Sequence, residues 1–278
     1  MINKKYFNII VKDIWKDFEY IIKEWWDYYV IIVNDSIVYR FPKEEKNLNE
    51  LLKEKKILDI LKNYISIKIP ELEIVWWIWL KYKIIKWDTM EKLNLLDLDE
   101  NSLNKILDDI VLFLKELHSI PINNFNFIKS ENNDYNIYRD KFKKEMYIRL
   151  KWKIDDIYID KLKVYIDKLF DLNFDNQVLV HTDIQEKNII FNYSENKISW
   201  VIDFTDCRIS WKEQDFVHFI DWWEKIFKKI IIKYFWFYND KFVNIVKFLH
   251  KKPLIFEIMN DDIYENNLDD LLIKIKNF

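Results

Sequence analysis

Val180-His-Thr-Asp-Ile-Gln-Glu-Lys-Asn-Ile-Ile-Phe191 decides the reading of this chain. It contains His-x-Asp-x-x-x-x-Asn at His181, Asp183 and Asn188, set between the apolar runs 178–180 and 189–191 that read as short strands. Asp203 follows in Val201-Ile-Asp-Phe204. Between Asn188 and Asp203 lie two strand-like runs, 189–191 and 198–202, joined by the turn-forming residues Tyr193-Ser-Glu-Asn196. The segment therefore predicts a hairpin that returns Asp203 to the side of Asn188 and Asp183. Phosphoryl transfer needs such a set. A carboxylate must orient an attacking hydroxyl and accept its proton, and an Asn and an Asp must hold Mg²⁺ on nucleotide phosphates. The bare spacing arises by chance in an Asn-rich chain; the flanking strands and the Ile-Asp-Phe segment make it specific.

Working outward, residues 28–33 and 37–41 are β-rich runs separated by Asn34-Asp35-Ser36, a hairpin pattern, and Pro42 ends the second strand because it has no N–H for a ladder. Residues 47–62 read as a helix with Leu51, Leu58 and Leu61 on one face. Glu54 falls on the same stripe, where a carboxylate is either paired or bent out to solvent. Residues 81–86 predict a further strand. Residues 102–118 predict an amphipathic helix, apolar at 103, 106, 107, 110, 114 and 117 and stopped by Pro121. Residues 138–172, and the chain from about Asp215 onward, read as helical. The expected class is α+β. A small lobe over residues 1–88, mostly strands with one helix, precedes a larger helical lobe over 89–278 that holds a short β-insert.

Composition excludes several classes. Half of the 278 residues are hydrophobic, enough for a large core. The net charge is −3, with 44 basic and 47 acidic residues interspersed, so no basic face for nucleic acid is advertised. No stretch is long and apolar enough for a membrane span, and the N-terminus does not read as a signal peptide. The one cysteine, Cys207, reads as a packed, inert thiol in a reducing compartment. The expectation is a cytoplasmic monomer that engages neither nucleic acid nor membrane. Acidic clusters in the C-terminal half leave room for a cationic substrate.

The residues around Asp183 carry a resemblance. Leu179-Val-His-Thr-Asp183 with Asn188 is similar to the catalytic loop of the aminoglycoside phosphotransferase family, and Val201-Ile-Asp-Phe-Thr-Asp206 is similar to its metal-binding segment. Glu24-Trp-Trp-Asp27, the hairpin ending Tyr39-Arg-Phe-Pro42, and Phe113-Leu-Lys-Glu-Leu-His-Ser-Ile-Pro121 resemble the 2''-type members. The resemblance spans most of the chain and implies a two-lobed protein-kinase-like fold. It implies Asp183 as catalytic base, Asn188 and Asp203 as Mg²⁺ ligands, and Asp215, in Lys212-Glu-Gln-Asp-Phe216, as a structural brace. His181 is expected to hold the loop through a backbone hydrogen bond. Trp25 falls in the loop that covers the nucleotide. The family's phosphate-contacting lysine is replaced by Arg40, which is expected to pair with Glu54. Thr205 stands where the glycine after Asp-Phe would be, and is not read as inactivating. The donor would be ATP or GTP, and the acceptor an aminated small molecule, with antibiotic resistance the role this implies. Asp206, Asp221 and Glu224 are candidate substrate carboxylates, the last two equally readable as solvated helix surface. The alternatives are a kinase of choline or another amino alcohol, which calls for an aromatic cage, and an inactive nucleotide-binding module, against which the intact Asp183, Asn188 and Asp203 argue.

One compositional feature stands outside chemistry. The chain has no glycine and no alanine, four arginines, and 13 tryptophans. An AT-rich gene accounts for the scarcity but not for the tryptophans, and a chain of this size ordinarily carries about 7% glycine. Turns need residues that tolerate positive φ, which tryptophan does not. Either the protein is Trp-rich, or many of its tryptophans are UGA codons that its own cell reads as glycine. In the resembling family Trp25, Trp87 and Trp200 fall at glycine-like positions, with Trp223 a further candidate.

Overall fold

The computed structural model describes residues 4–14, 18–24, 28–75, 79–85, 88–128, 135–172, 176–260 and 267–278. In chain order, α1 (Lys4–Ile14) leads into β1 (Tyr20–Glu24), β2 (Tyr28–Val33), β3 (Ile37–Pro42), α2 (Glu45–Leu61), β4 (Glu73–Val75), β5 (Trp79–Lys83) and β6 (Asp88–Thr89). There follow α3 (Glu100–Ser119), α4 (Tyr135–Leu150), α5 (Asp156–Asp171), β7 (Gln177–Val180), β8 (Ile189–Asn192), β9 (Lys197–Val201) and β10 (Arg208–Trp211). The chain continues through α6 (Glu224–Phe235), α7 (Asp240–Leu249), α8 (Lys252–Met259) and α9 (Leu268–Lys276). By packing it divides into two compact units: residues 1–128 with 181–208, and residues 129–180 with 209–278.

In the first unit, β1 to β5 form an antiparallel sheet in the order β1-β2-β3-β5-β4 among the described residues. The β2–β3 turn is set by local chemistry. Asn34 and Asp35 both take positive φ, 49° and 47°, and Ser36 N–H donates to Val33 O at 3.0 Å, the mirror-image turn whose twist matches paired strands. Asn and Asp reach this region at less cost than other non-glycine residues. Ile31, Val33, Tyr39, Phe41 and Val75 bury one sheet face against Ile10 of α1. The expected single helix of the first 88 residues is thus two, α1 and α2. The sheet, rather than a capping signal, decides α1.

Helix α3 follows its periodicity. The six apolar positions 103, 106, 107, 110, 114 and 117 are all buried. Asp99 caps the helix by accepting from Asn101 N and Ser102 N, each at 3.0 Å. Asp109 on this helix accepts the Ile198 N–H at 3.1 Å, which docks β9 onto α3.

The second unit is mainly helical. Met146, Leu150, Ile159, Leu162, Ile166, Ile258, Leu271 and Ile275 make a common core for α4, α5, α8 and α9. β7 and β10 pair as a two-stranded ladder. The helical run expected over 138–172 is two helices, because at Trp152 the backbone enters the left-handed region, φ 71°. Likewise the stretch Lys212–Ile220 is 3₁₀ rather than α. Trp236, just after α6, is also left-handed, φ 69°. Among the described residues, no helix is long and apolar enough to cross a membrane.

Candidate active site

The hairpin expected after Asn188 is present. β8 pairs antiparallel with β9, from Ile189 opposite Val201 to Asn192 opposite Lys197, with a bulge between Ile190 and Phe191. Asn192 Oδ1 accepts from Ser194 N at 3.0 Å and from Ser194 Oγ at 2.7 Å, and Asn196 turns the chain at φ 52°. The return is closed by Ile202 N–H donating to Asn188 O at 2.9 Å. That bond ties the segment before Asp203 to the residue that sequence reasoning paired with it.

Asp183 is held from several sides. Asn188 Nδ2 donates to its Oδ2 at 2.8 Å and to its carbonyl at 2.9 Å, and Gln185 Nε2 donates to its Oδ1. Lys187 Nζ lies 3.4 Å from Oδ2. His181 is fully buried, with its ring 4.6 Å from that of Phe204 and 6.4 Å from that of Phe113. Its Nδ1 accepts the Asp183 N–H at 3.3 Å, so the proton belongs on Nε2, which faces Ile202 O at 3.1 Å. The imidazole therefore latches both segments through the main chain.

Backbone strain gathers here. Thr182 and Asp203 have φ of 72° and 66°, a region costly for a β-branched residue and uncommon for Asp. Thr182 Oγ1 donates to Asp206 O at 3.2 Å, fastening the two strained segments to each other.

Arg40 on β3 and Glu54 on α2 form the buried ion pair that the apolar stripe of α2 called for. Arg40 Nη1 meets Glu54 Oε2 at 2.8 Å, and the guanidinium lies 4.6 Å from the Tyr28 ring centre. Burial opposes both charges. For Arg40 burial is the largest influence, but Glu54 together with Tyr82, Tyr28 and Asp203 outweighs it and holds the guanidinium above its ordinary pKa; for Glu54 burial wins and lifts the carboxyl, with Arg40 offsetting part. Thr205 joins the pair, its hydroxyl 3.4 Å from Arg40 Nη2 and donating to Glu54 Oε2 at 3.2 Å.

These groups line one pocket of about 660 Å³, wholly within the first unit. One part of its wall is apolar, with Val30, Ile32, Val38, Leu72, Ile84 and Ile202. The other carries Arg40, Glu54, Lys187, Asn188, Asp203 and Asp206. Burial raises the Asp206 carboxyl above the usual range, and the charges of Asp203 and Asp183 raise it further, against Arg208 and Lys53. Tyr82 on β5 also faces this pocket, and burial pushes its phenol up to about 12.

The residues present fit a hard divalent cation. Asn188 spends its Nδ2 on Asp183, which leaves Oδ1 without a partner among the described residues, and the exposed Asp203 carboxylate is a second oxygen donor. With phosphate oxygens and water this is the donor set Mg²⁺ takes.

Residues 26–239 match the family model described as the phosphotransferase enzyme family. The chain belongs to that family. Solved structures agree with it in fold. The GDP complex of wild-type aminoglycoside 2'-phosphotransferase-IIIa superposes with a TM-score of 0.78 over 100% of both chains at 17% identity. The streptomycin-ATP-APH(2")-IIa ternary complex gives 0.78 over 94% of this chain and 91% of that one at 20% identity. Macrolide 2'-phosphotransferase MphH from Brachybacterium faecium gives 0.69 over 98% of this chain and 95% of that one at 11% identity. At these identities the likeness shows the kinase-like fold. Among curated proteins, no sequence matches.

The remaining expected residues of this phosphotransferase fall elsewhere. Trp25 and Trp87 lie outside the described residues. Asp215, Asp221 and Glu224 belong to the second unit. There Asp215 is fully buried, Asp221 is 2.9 Å from His250 Nε2, and Glu224 opens α6. Cys207 is buried and forms no disulfide among the described residues. Three residues now seen in or beside the pocket were not given a role by sequence reasoning. Lys187 was passed over as one lysine among many. Tyr82 sat unremarked in a strand. Thr205 was weighed only as a missing glycine, although a hydroxyl there could have been matched to the buried Arg40 and Glu54.

Proposed function

We propose that this chain transfers the γ-phosphate of Mg-ATP or Mg-GTP to a hydroxyl of an aminoglycoside or a similar aminated small molecule. In this reading residues 1–88 form the nucleotide-binding lobe and residues 89–278 the catalytic and substrate lobe. The observation that carries it is that Asn188, bonded to Asp183, and Asp203 line the same pocket as a buried Arg40–Glu54 pair. The apolar wall suits the flat face of a purine, and the charged part suits a polyphosphate. Arg40 is the cation for the inner phosphates, as a planar fork in place of an ammonium. Asn188 Oδ1 and Asp203 would hold Mg²⁺, which when bound neutralises charge on the phosphates. Asp183 takes the proton of the acceptor hydroxyl as its oxygen bonds to phosphorus. The bond from phosphorus to the bridging oxygen breaks, and its electron pair leaves with the diphosphate.

The acceptor side rests on charge. Asp206 lies in the pocket beside the catalytic set, and Asp221 and Glu224 add candidate carboxylates from the second unit. Solved structures of like fold hold streptomycin, gentamicin or kanamycin. Asp215 is assigned as the brace of the catalytic loop.

The test is Mg-nucleotide turnover against a panel of aminoglycosides and amino alcohols. Phosphorylation of an aminoglycoside is the expected result, and Asp183→Asn is expected to lower it by roughly 10²–10⁴-fold. Transfer confined to amino alcohols would reassign the substrate. Mg-nucleotide binding with no transfer to any acceptor would mark an inactive module.

A further inference from the structure

Beside Asp183 the pocket presents the carboxylates of Asp203 and Asp206, and the charges of Asp203 and Asp183 are both felt at Asp206. A terminal phosphoryl group entering beside them meets repulsion that a cation must offset. Among the described residues, three cationic side chains line this pocket: Lys23, Arg40 and Lys187. Arg40 is committed at 2.8 Å to Glu54 and is almost fully buried. Lys23 lies on β1, outside the catalytic loop. Lys187 immediately precedes Asn188, on the 3₁₀ turn Glu186–Asn188, and its Nζ is 3.4 Å from Asp183 Oδ2.

Lys187 is not needed to orient Asp183. Gln185 and Asn188 already donate to the two carboxylate oxygens, the latter at 2.8 Å. A pair at 3.4 Å with a lysine side chain 48% exposed contributes little to stability. What the position does supply is an ammonium on a flexible four-carbon stem, beside both the acceptor-side base and the residue that would hold the metal.

We propose that Lys187 is a further catalytic residue, a cation that leaves Asp183 when Mg-nucleoside triphosphate binds and pairs with the γ-phosphoryl oxygens. This rests on the reading of the pocket as a Mg-nucleotide site. As the acceptor oxygen forms its bond to phosphorus and the bridging P–O bond breaks, the equatorial oxygens keep their negative charge, and a fixed ammonium there lowers the barrier. The hydroxyl proton goes to Asp183, whose Oδ2 the departing ammonium has uncovered. The same side chain thus shields the base in the empty pocket and releases it only when a γ-phosphoryl is present to transfer.

The experiment compares the full chain with Lys187→Met, Lys187→Arg and Lys187→Glu. Calorimetric titration measures binding of Mg-ATP, Mg-ADP, Mg-GTP and Mg-GDP, and thermal melting confirms that each variant is folded. Lys187→Met is expected to lose about 10- to 100-fold of the preference for triphosphate over diphosphate, with diphosphate affinity unchanged, because a charge-assisted contact to the γ-phosphate alone is removed. Lys187→Arg should retain most of the preference, and Lys187→Glu should lose more than the Met variant. With an acceptor in hand, kcat should fall while the acceptor KM holds. A Met variant that keeps the wild-type triphosphate-to-diphosphate ratio overturns the proposal. A wild-type chain that binds none of the four Mg-nucleotides brings down the nucleotide-site reading itself, and this proposal with it.

Discussion

Position 236 is where a single residue says most. Helix α6 ends there in the left-handed region at φ 69°, with the Trp236 N–H donating to Ile232 O at 2.7 Å, the geometry that helices most often close with glycine. Trp152, after α4, is also left-handed, at φ 71°. The two indoles are largely exposed, at 83% and 92%. Left-handed geometry costs a residue with a Cβ roughly 1–2 kcal/mol. Trp236→Gly and Trp152→Gly are each expected to stabilise the chain by about 1 kcal/mol, read from the midpoint of urea unfolding. A loss of stability in both would favour a genuinely Trp-rich protein, as would an intact mass of the natively expressed chain that matches 13 tryptophans. The conformational argument does not reach Trp200, which pairs in β9, or Trp223, whose φ is −28°. The absence of glycine was legible in the sequence. Which tryptophans occupy glycine geometry was not, because the sign of φ is set where helices end, and those ends were not drawn.

Between elements, α2 is joined to β3 and to the segment after β9 through Glu54, which takes Arg40 at 2.8 Å and the Thr205 hydroxyl at 3.2 Å. Glu54→Gln would leave a buried guanidinium without its counter-charge and is expected to cost about 3–5 kcal/mol in chemical denaturation. Replacing Arg40 and Glu54 together by apolar residues should restore much of that stability while abolishing Mg-nucleotide binding. Tyr82 on β5 gives a pH signature at the same wall. Its phenol is pushed by burial up to about 12 from an ordinary value of about 10. A folded pKa above the unfolded one adds stability that is fully present below pH 10 and is lost as pH rises through about 12. Tyr82→Phe should therefore flatten the loss of stability over that interval in an alkaline unfolding series; an unchanged slope would remove Tyr82 from the buried wall. The β2–β3 hairpin, α2, α3 and the β8–β9 return were all legible, because turn residues and apolar periodicity agree in each. α1 was not, since its helix depends on a sheet face that has to exist first, and the break after Leu150 was hidden behind a tryptophan.

For the whole molecule, the class was legible because one loop and one hairpin fix the positions of Asp183, Asn188 and Asp203, and few folds make that return. The candidate substrate carboxylates were less so, since an acidic residue on a helix reads alike whether it meets ligand or water; Asp221 lies 2.9 Å from His250 Nε2, a partner the sequence did not suggest. Ligand linkage gives a global test. Mg-nucleotide at about 100 times its Kd should stabilise the chain by about 2.7 kcal/mol, seen as a raised melting temperature. Chelating the Mg²⁺, or making Asp203→Asn, should remove most of that rise. Equal stabilisation with and without Mg²⁺ would take Asp203 out of the metal role.

The left-handed turn after α6 also reaches beyond folding. Were the position a UGA that its own cell reads as glycine, a gene bank searched for phosphotransferases by growth in a foreign host would put an indole, or a stop, there. Enzymes whose helix ends are written in this manner would then go uncounted in such a survey, however active they are at home.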